Sequence, residues 1–314
     1  MKTGDAPQRI LGCIRRALPK SAATCLWLLK IILPVSLGVE LLRYFGLLAY
    51  VAEWFGPLFA LIGLPGETAI VFITSVFCPL YAPIALISTM SLGGREATIL
   101  ALMCLVSHSL IIESSVQAKT GSGFWEMTVL RLVMSFVIAL TLNFVMPHEG
   151  WSVVGSAAGL AGADESFGGV LLDWLGGSLR IVGTILVIVT LLMILHYVLD
   201  EFRLMTGISA LFAPLMKVMG LPRETAFLWF VGNIVGLAYG GAIMVEQVRE
   251  GKLTPAAGNL LNYHLAVNHS MLEDTLIFVA IGIPALWILL TRLAFAAAVV
   301  WLRRLYGQLS ARYI

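Results

Sequence analysis

Eight polar positions stand out in an otherwise apolar chain because they fall into four duplicated pairs. Glu67 and Glu224 lie in GLPGETA (Gly63 to Ala69) and GLPRETA (Gly220 to Ala226), which match at six of seven residues with an offset of 157. Val106-Ser-His-Ser returns as Val267-Asn-His-Ser and supplies His108 and His269. A second acid follows at Glu113 and Asp274, and an arginine at Arg131 and Arg292. Self-similarity on this scale marks an internal duplication. An imidazole titrates near pH 6.5, relays protons, bonds solutes and ligates metals, so the histidines and acids fit a solute, proton or metal site. An arginine two to three turns into an apolar helix needs an acid. The pairs expected are Arg131 with Glu113 or an equivalent acid of either copy, and Arg292 with Asp274 or Glu273.

Each residue also has a structural explanation. Glu67 and Glu224 follow Leu-Pro and would favour the positive end of a new helix; lining a cavity is the other reading. His108 and His269 would hydrogen-bond between helices, or would bind a substrate together with Ser109 and Ser270. Thr68, Thr225 and Asn233 complete the candidate substrate-binding set. If the ligand is a metal, the donors expected are His108, His269, Glu113, Asp274 and Cys78; Asn262 and His264 would extend the second copy's site. No HExxH or GxSxG pattern occurs, and serine next to histidine points the two side chains in different directions on a helix. An enzyme is therefore not expected. The four cysteines lack CxxC spacing, so neither a disulfide framework nor a zinc knuckle is indicated.

The elements that hold these residues follow from composition. Charged residues make up 12% and hydrophobic residues 59%, and the mean hydropathy is +0.94. A soluble domain carries roughly 25% charged residues. These values describe a polytopic membrane protein, and with no alternating strand pattern its spans should be helices, so the fold class is all-α. A net charge of +2 with dispersed basic residues excludes a nucleic-acid partner. The partners expected are the lipid bilayer and a small polar solute or metal ion, with a homo-oligomer compatible. No cofactor is expected beyond a coupling proton or sodium ion.

Along the chain, residues 1–22 carry Lys2, Arg9, Arg15, Arg16 and Lys20 and predict a basic amphipathic helix on the membrane surface, not a cleaved signal peptide. The first repeat, 23–147, opens with a span near 24–46. It continues with an interfacial run around Trp54 and with Glu67 to Met90, which Pro79 and Pro83 interrupt. Its counterpart in the second repeat, 180–306, is Glu224 to Glu246, broken by glycines. Interrupted apolar segments at corresponding positions point to a transport site, and both are read as re-entrant hairpins. Spans are expected at about 96–118 and 123–147, then 255–279 and 281–302, with a loop at 148–179 and a tail at 307–314. Three spans per repeat, an odd number, make the second repeat inverted. Lys and Arg are absent from 44–94, which Arg43 and Arg95 flank, and from 132–179. The positive-inside rule thus puts both termini and 200–254 in the cytoplasm and the linker outside, in a bacterial inner membrane.

An interfacial segment, a hairpin opening on Gly-x-x-Glu-Thr-Ala and a polar-studded helix, all repeated, resemble the nucleoside-recognition or Gate domain family. That family includes the core of concentrative nucleoside transporters, the membrane part of ferrous-iron transporters and spore maturation proteins. The resemblance implies a secondary transporter of a small polar, nucleoside-like solute working by alternating access, with the Glu-Thr-Ala of each hairpin contacting substrate. Phe77-Cys-Pro-Leu-Tyr-Ala-Pro is similar to the cysteine-containing gate motif of the iron transporters, which implies a divalent-metal permease as the alternative. A third implication is a non-transporting assembly protein of the spore-maturation kind. This sequence holds no P-loop, so it is not by itself a complete GTPase-coupled iron transporter.

Overall fold

The computed structural model describes residues 6–147, 166–202, 204–234 and 236–310. Among them the secondary structure is helical, and the helices occur in one order used twice. The first pass is α1 (Ala6–Tyr44), α2 (Leu48–Leu61), α3 (Ala69–Phe77), α4 (Tyr81–Thr89), α5 (Gly94–Ser107), α6 (Leu110–Ala118) and α7 (Phe124–Val145). The second is α8 (Phe167–Glu201), α9 (Leu204–Val218), α10 (Ala226–Ile234), α11 (Leu237–Arg249), α12 (Pro255–Val267), α13 (Met271–Ala280) and α14 (Ala285–Ser310). Short 3-10 turns, Gly66–Thr68 and Arg223–Thr225, open α3 and α10.

Local signals explain several boundaries. The duplicated GLP is a helix stop: Gly63 and Gly220 adopt φ of 71° and 72°, and the N–H groups of Leu64 and Leu221 return to the carbonyls of Phe59 and Met216. The carboxylates of Glu96 and Glu126 accept the N–H groups of Gly93 and Gly123, and the Thr254 hydroxyl accepts from Ala257 N–H ahead of α12. Gly66 stands where the second copy has Arg223 because a Cβ there would lie 2.4 Å from the Ala52 carbonyl oxygen of α2.

Helix α7 shows how the membrane environment inverts the usual pattern. Val129, Val133, Val137, Leu140 and Phe144 form an exposed apolar stripe, while Arg131 and Ser135 lie on the buried face with Met127, Met134, Ile138 and Leu142. An apolar outer surface of this extent is stable against lipid tails. Among the described residues, three helices are long and apolar enough to cross a membrane, within Phe124–Val145, Phe167–Leu199 and Ala285–Gln308. The number reaches five if two bent pairs each count as one span.

Three boundaries differ from the sequence reading. The basic segment and first span are one helix, α1, which tolerates Pro19 and Pro34. It runs antiparallel to α8: Arg9 and Arg16 pair with Glu201 at 3.1 and 2.7 Å, Ser21 Oγ accepts from Thr190 and Ser36 Oγ from Trp174 Nε1. The hydrogen bonds from Arg16 and Arg9 hold the Glu201 carboxyl below its usual range. Helix α8 begins at Phe167, so the second half of the expected 148–179 loop is helical, while 148–165 lies outside the described residues. The expected spans 96–118 and 255–279 are each broken near their middle. The cause lies at the candidate site.

Candidate functional site at the paired helix breaks

Helix α5 ends at Ser107 and α6 begins at Leu110; between them Ser109 adopts a left-handed backbone, φ 45°. Helix α12 ends at Val267 and α13 begins at Met271, with Ser270 at φ 48°. Among the described residues these are the non-glycine residues with positive φ. A side chain in that region costs roughly 1–2 kcal/mol, and such strain persists where the surroundings over-determine it. The surroundings here are the broken hairpins: Ser109 N–H donates to Ser75 O at 2.9 Å, with Cys78 O at 3.2 Å, and Ser270 N–H donates to Gly232 O at 2.9 Å. The ends of α3 and α10 thus supply the acceptors that the interrupted helices lack.

The freed carbonyls are satisfied by arginine. Arg131, on α7 and fully buried, donates from Nε to Val106 O at 2.7 Å and from Nη2 to His108 O at 2.8 Å. Arg292, on α14, makes the same two contacts to Val267 O, at 3.3 Å, and to His269 O. Each guanidinium caps the first half of its broken helix. Each also meets an acid: Arg131 Nη2 is 2.6 Å from Glu113 Oε2, and Arg292 Nη1 is 3.1 Å from Asp274 Oδ2. The arginine pairings are those expected from the sequence.

The two histidines converge. His108 Nε2 and His269 Nε2 are 3.4 Å apart, with ring centroids 5.0 Å apart. Nδ1 of His269 lies 2.7 Å from Leu265 O, and Nδ1 of His108 lies 3.1 Å from Leu105 O. A carbonyl only accepts, so both Nδ1 atoms carry the proton and, in the neutral rings, both Nε2 lone pairs face each other. Glu113 adds its carboxylate, with Oε1 3.2 Å from His108 Nε2 and Oε2 3.3 Å from His269 Nε2. One longer side chain creates the asymmetry. Glu113 spans from its arginine to both histidines, whereas Asp274, shorter by a methylene, is bound to Arg292.

The other candidate residues occupy distinct places. Thr68 and Thr225 are buried, with their hydroxyls on Pro65 O and Pro222 O at 2.7 Å; they close the turn that starts each helix. Glu67 and Glu224 lie in those first turns, at the end of α3 and α10 opposite the histidines. At 1.5 Å per residue this is about 12 Å along the helix from Ser75. The hairpin glutamates and the histidines therefore do not form one cluster. Asn233 donates to Trp229 O at 2.9 Å and accepts from Asn268 Nδ2 at 3.2 Å, beside the second break. His264 accepts from Trp229 Nε1, and Asn262 bonds Gln117 O and Thr120, so neither extends the pair. Among the described residues the donors close enough to share an ion are His108, Glu113 and His269; Cys78 and Asp274 are not in that group. Tyr81, which the sequence did not single out, donates to Glu273 and ties the first hairpin to α13. Buried polar atoms without a hydrogen-bond partner gather around the breaks: Glu113 Oε2, Arg131 Nη1 and Asn268 Oδ1.

Comparison with known proteins agrees with this architecture. The Gate family model, described as nucleoside recognition, matches residues 25–121, the first copy through the first break. The uncharacterized membrane protein YvoD of Bacillus subtilis (strain 168) is 32% identical over 269 residues, covering 85% of this chain and 86% of that protein. No solved structure matches. The chain is an all-helical membrane protein and belongs to the Gate, nucleoside-recognition, family.

Proposed function

We propose that this protein is a membrane carrier for a small polar solute, working by alternating access between two copies related by inversion. The observation that carries the reading is the meeting of two strained helix breaks, one per copy, at a buried centre holding His108, His269 and Glu113. Non-helical backbone at membrane depth is tolerated only where protein or a water-filled cavity surrounds it, and broken helices at corresponding positions of two repeats are the recurring construction of carrier sites. The antiparallel run of α1 along α8, its counterpart in the second copy, supports the inversion. The break between α3, which ends at Phe77, and α4, which begins at Tyr81, supports a re-entrant hairpin over Glu67 to Met90. The burial of both histidines fits an occluded stage of the cycle. Cytoplasmic termini, an external 148–179 linker and a bacterial inner-membrane location complete the proposal.

Reconstitution into liposomes tests it, with nucleosides as the first arm of the panel, from the family's description, and divalent cations as the second. The expected result is saturable uptake of a solute from the panel, reduced at least tenfold by His269→Gln. Absence of flux on both arms with correctly folded protein would replace the carrier with a non-transporting assembly protein of the spore-maturation kind.

A further inference from the structure

We infer that the two copies jointly build a transition-metal site from His108 Nε2, His269 Nε2 and the Glu113 carboxylate. The first argument is spacing. Ligand atoms bonded at 2.0–2.1 Å around a tetrahedral zinc ion stand roughly 3.3 Å apart. The two Nε2 atoms are 3.4 Å apart and each lies against a different Glu113 oxygen, at 3.2 and 3.3 Å, so with one oxygen as ligand the three donor atoms fall within 4.8 Å of one another. Acceptors held this close repel one another unless a metal ion, or a proton on an imidazole facing the carboxylate, sits among them.

The second argument is the shell behind the ligands. A metal-bound histidine typically donates its other ring N–H to a carbonyl or carboxylate, which fixes the tautomer and the aim of the lone pair. His269 does so to Leu265 O and His108 to Leu105 O, through the turn of helix before each break. Arg131 holds Glu113 from behind while it caps the carbonyls of Val106 and His108, so the backbone that carries one histidine and the carboxylate are placed by a single guanidinium. Asp274 is retained by Arg292. The set is therefore two imidazoles and one carboxylate, with a fourth coordination position available to water or a solute, as in open rather than structural zinc sites. Two imidazoles and a carboxylate suit zinc and its first-row divalent neighbours over calcium or magnesium, which take oxygen ligands.

Because the ligands come from both copies, binding joins the two halves. As the ligand of a transport site the metal rests on the carrier reading; as a bound ion it does not.

The test uses the full chain, purified in detergent and stripped with chelator, then titrated with Zn²⁺ alone and with Co²⁺ as a spectroscopic probe. The expected result is one ion per chain, visible Co²⁺ bands of low coordination number with imidazole ligation, and persistence of those bands when excess Ca²⁺ or Mg²⁺ is added. His108→Gln and His269→Gln should each weaken binding by more than about 100-fold, beyond the 10–100-fold typical of outer-shell changes. Cys78→Ser should leave binding as it is. Should the glutamine variants unfold, X-ray absorption at the zinc edge of the wild-type protein decides instead, with two imidazoles and one carboxylate expected. Wild-type protein that takes up no ion, or that binds one without imidazole ligation, would overturn the site. Bound metal without transport would remove only the carrier.

Discussion

At the residue scale, two kinds of polar residue survive the duplication, and they do different work. The Glu-Thr-Ala repeat was legible as a motif, but its physical content is a turn: a left-handed glycine stops one helix, and a threonine hydroxyl returns to the proline carbonyl as the next begins. The histidine, acid and arginine were also legible as charges needing partners in lipid. What the sequence could not show is that each arginine bonds the backbone as well as an acid, since carbonyls carry no signature in residue types. That double duty gives a prediction. Arg131→Met leaves the Glu113 carboxylate without its cation and two carbonyls without a donor, and removing one member of a buried pair costs about 3–5 kcal/mol. The double variant Arg131→Met, Glu113→Gln should recover part of that loss, because contacting partners are not additive. Thermal unfolding in detergent of the two single variants and the double variant measures the coupling; a loss in the double variant equal to the sum of the two single losses would show that the pair contributes no coupling.

At the element scale, the breaks decide how the site is built. Hairpin interruptions at Pro79 and Gly236 could be read from the chain because proline and glycine announce themselves. The breaks at Ser109 and Ser270 could not: neither residue is a helix breaker, and the left-handed turn is imposed from outside by the carbonyls of Ser75 and Gly232. The flanking sequences therefore read as continuous apolar spans. Because serine is strained at φ 45° and 48°, Ser109→Gly should leave stability unchanged or raise it by up to about 1 kcal/mol. Ser109→Val, β-branched, should lower stability by more than 1 kcal/mol. The same thermal measurement checks both, and a valine variant as stable as wild type would mean that the break is not held as described. The basic N-terminal stretch reads as a separate helix for a related reason: its arginines carry no sign that Glu201 at the end of α8 partners Arg9 and Arg16 on a helix, α1, that runs unbroken to Tyr44.

At the scale of the whole molecule, a seven-helix order is used twice and the copies meet through histidines that are each other's counterparts. The duplication was legible from spacing alone. The joints that are not duplicated were not, because no repeat marks them: Tyr81 on Glu273, and the exchange in which Gln117 donates to Asn262 O while Asn262 donates to Gln117 O. These one-sided contacts hold together two halves that a carrier must move against each other. The proposed alternating access would make the helix breaks reachable from either face in turn, and this can be measured directly. Cysteine placed at Ser270, in a chain whose Cys13, Cys25, Cys78 and Cys104 are replaced, should react with a membrane-impermeant thiol reagent from the outside in intact cells and from the inside in inverted vesicles. Labelling from each face should slow when the solute found in the uptake panel is present. Reaction from one face alone, or from neither under any condition, would contradict a carrier that alternates around His108 and His269.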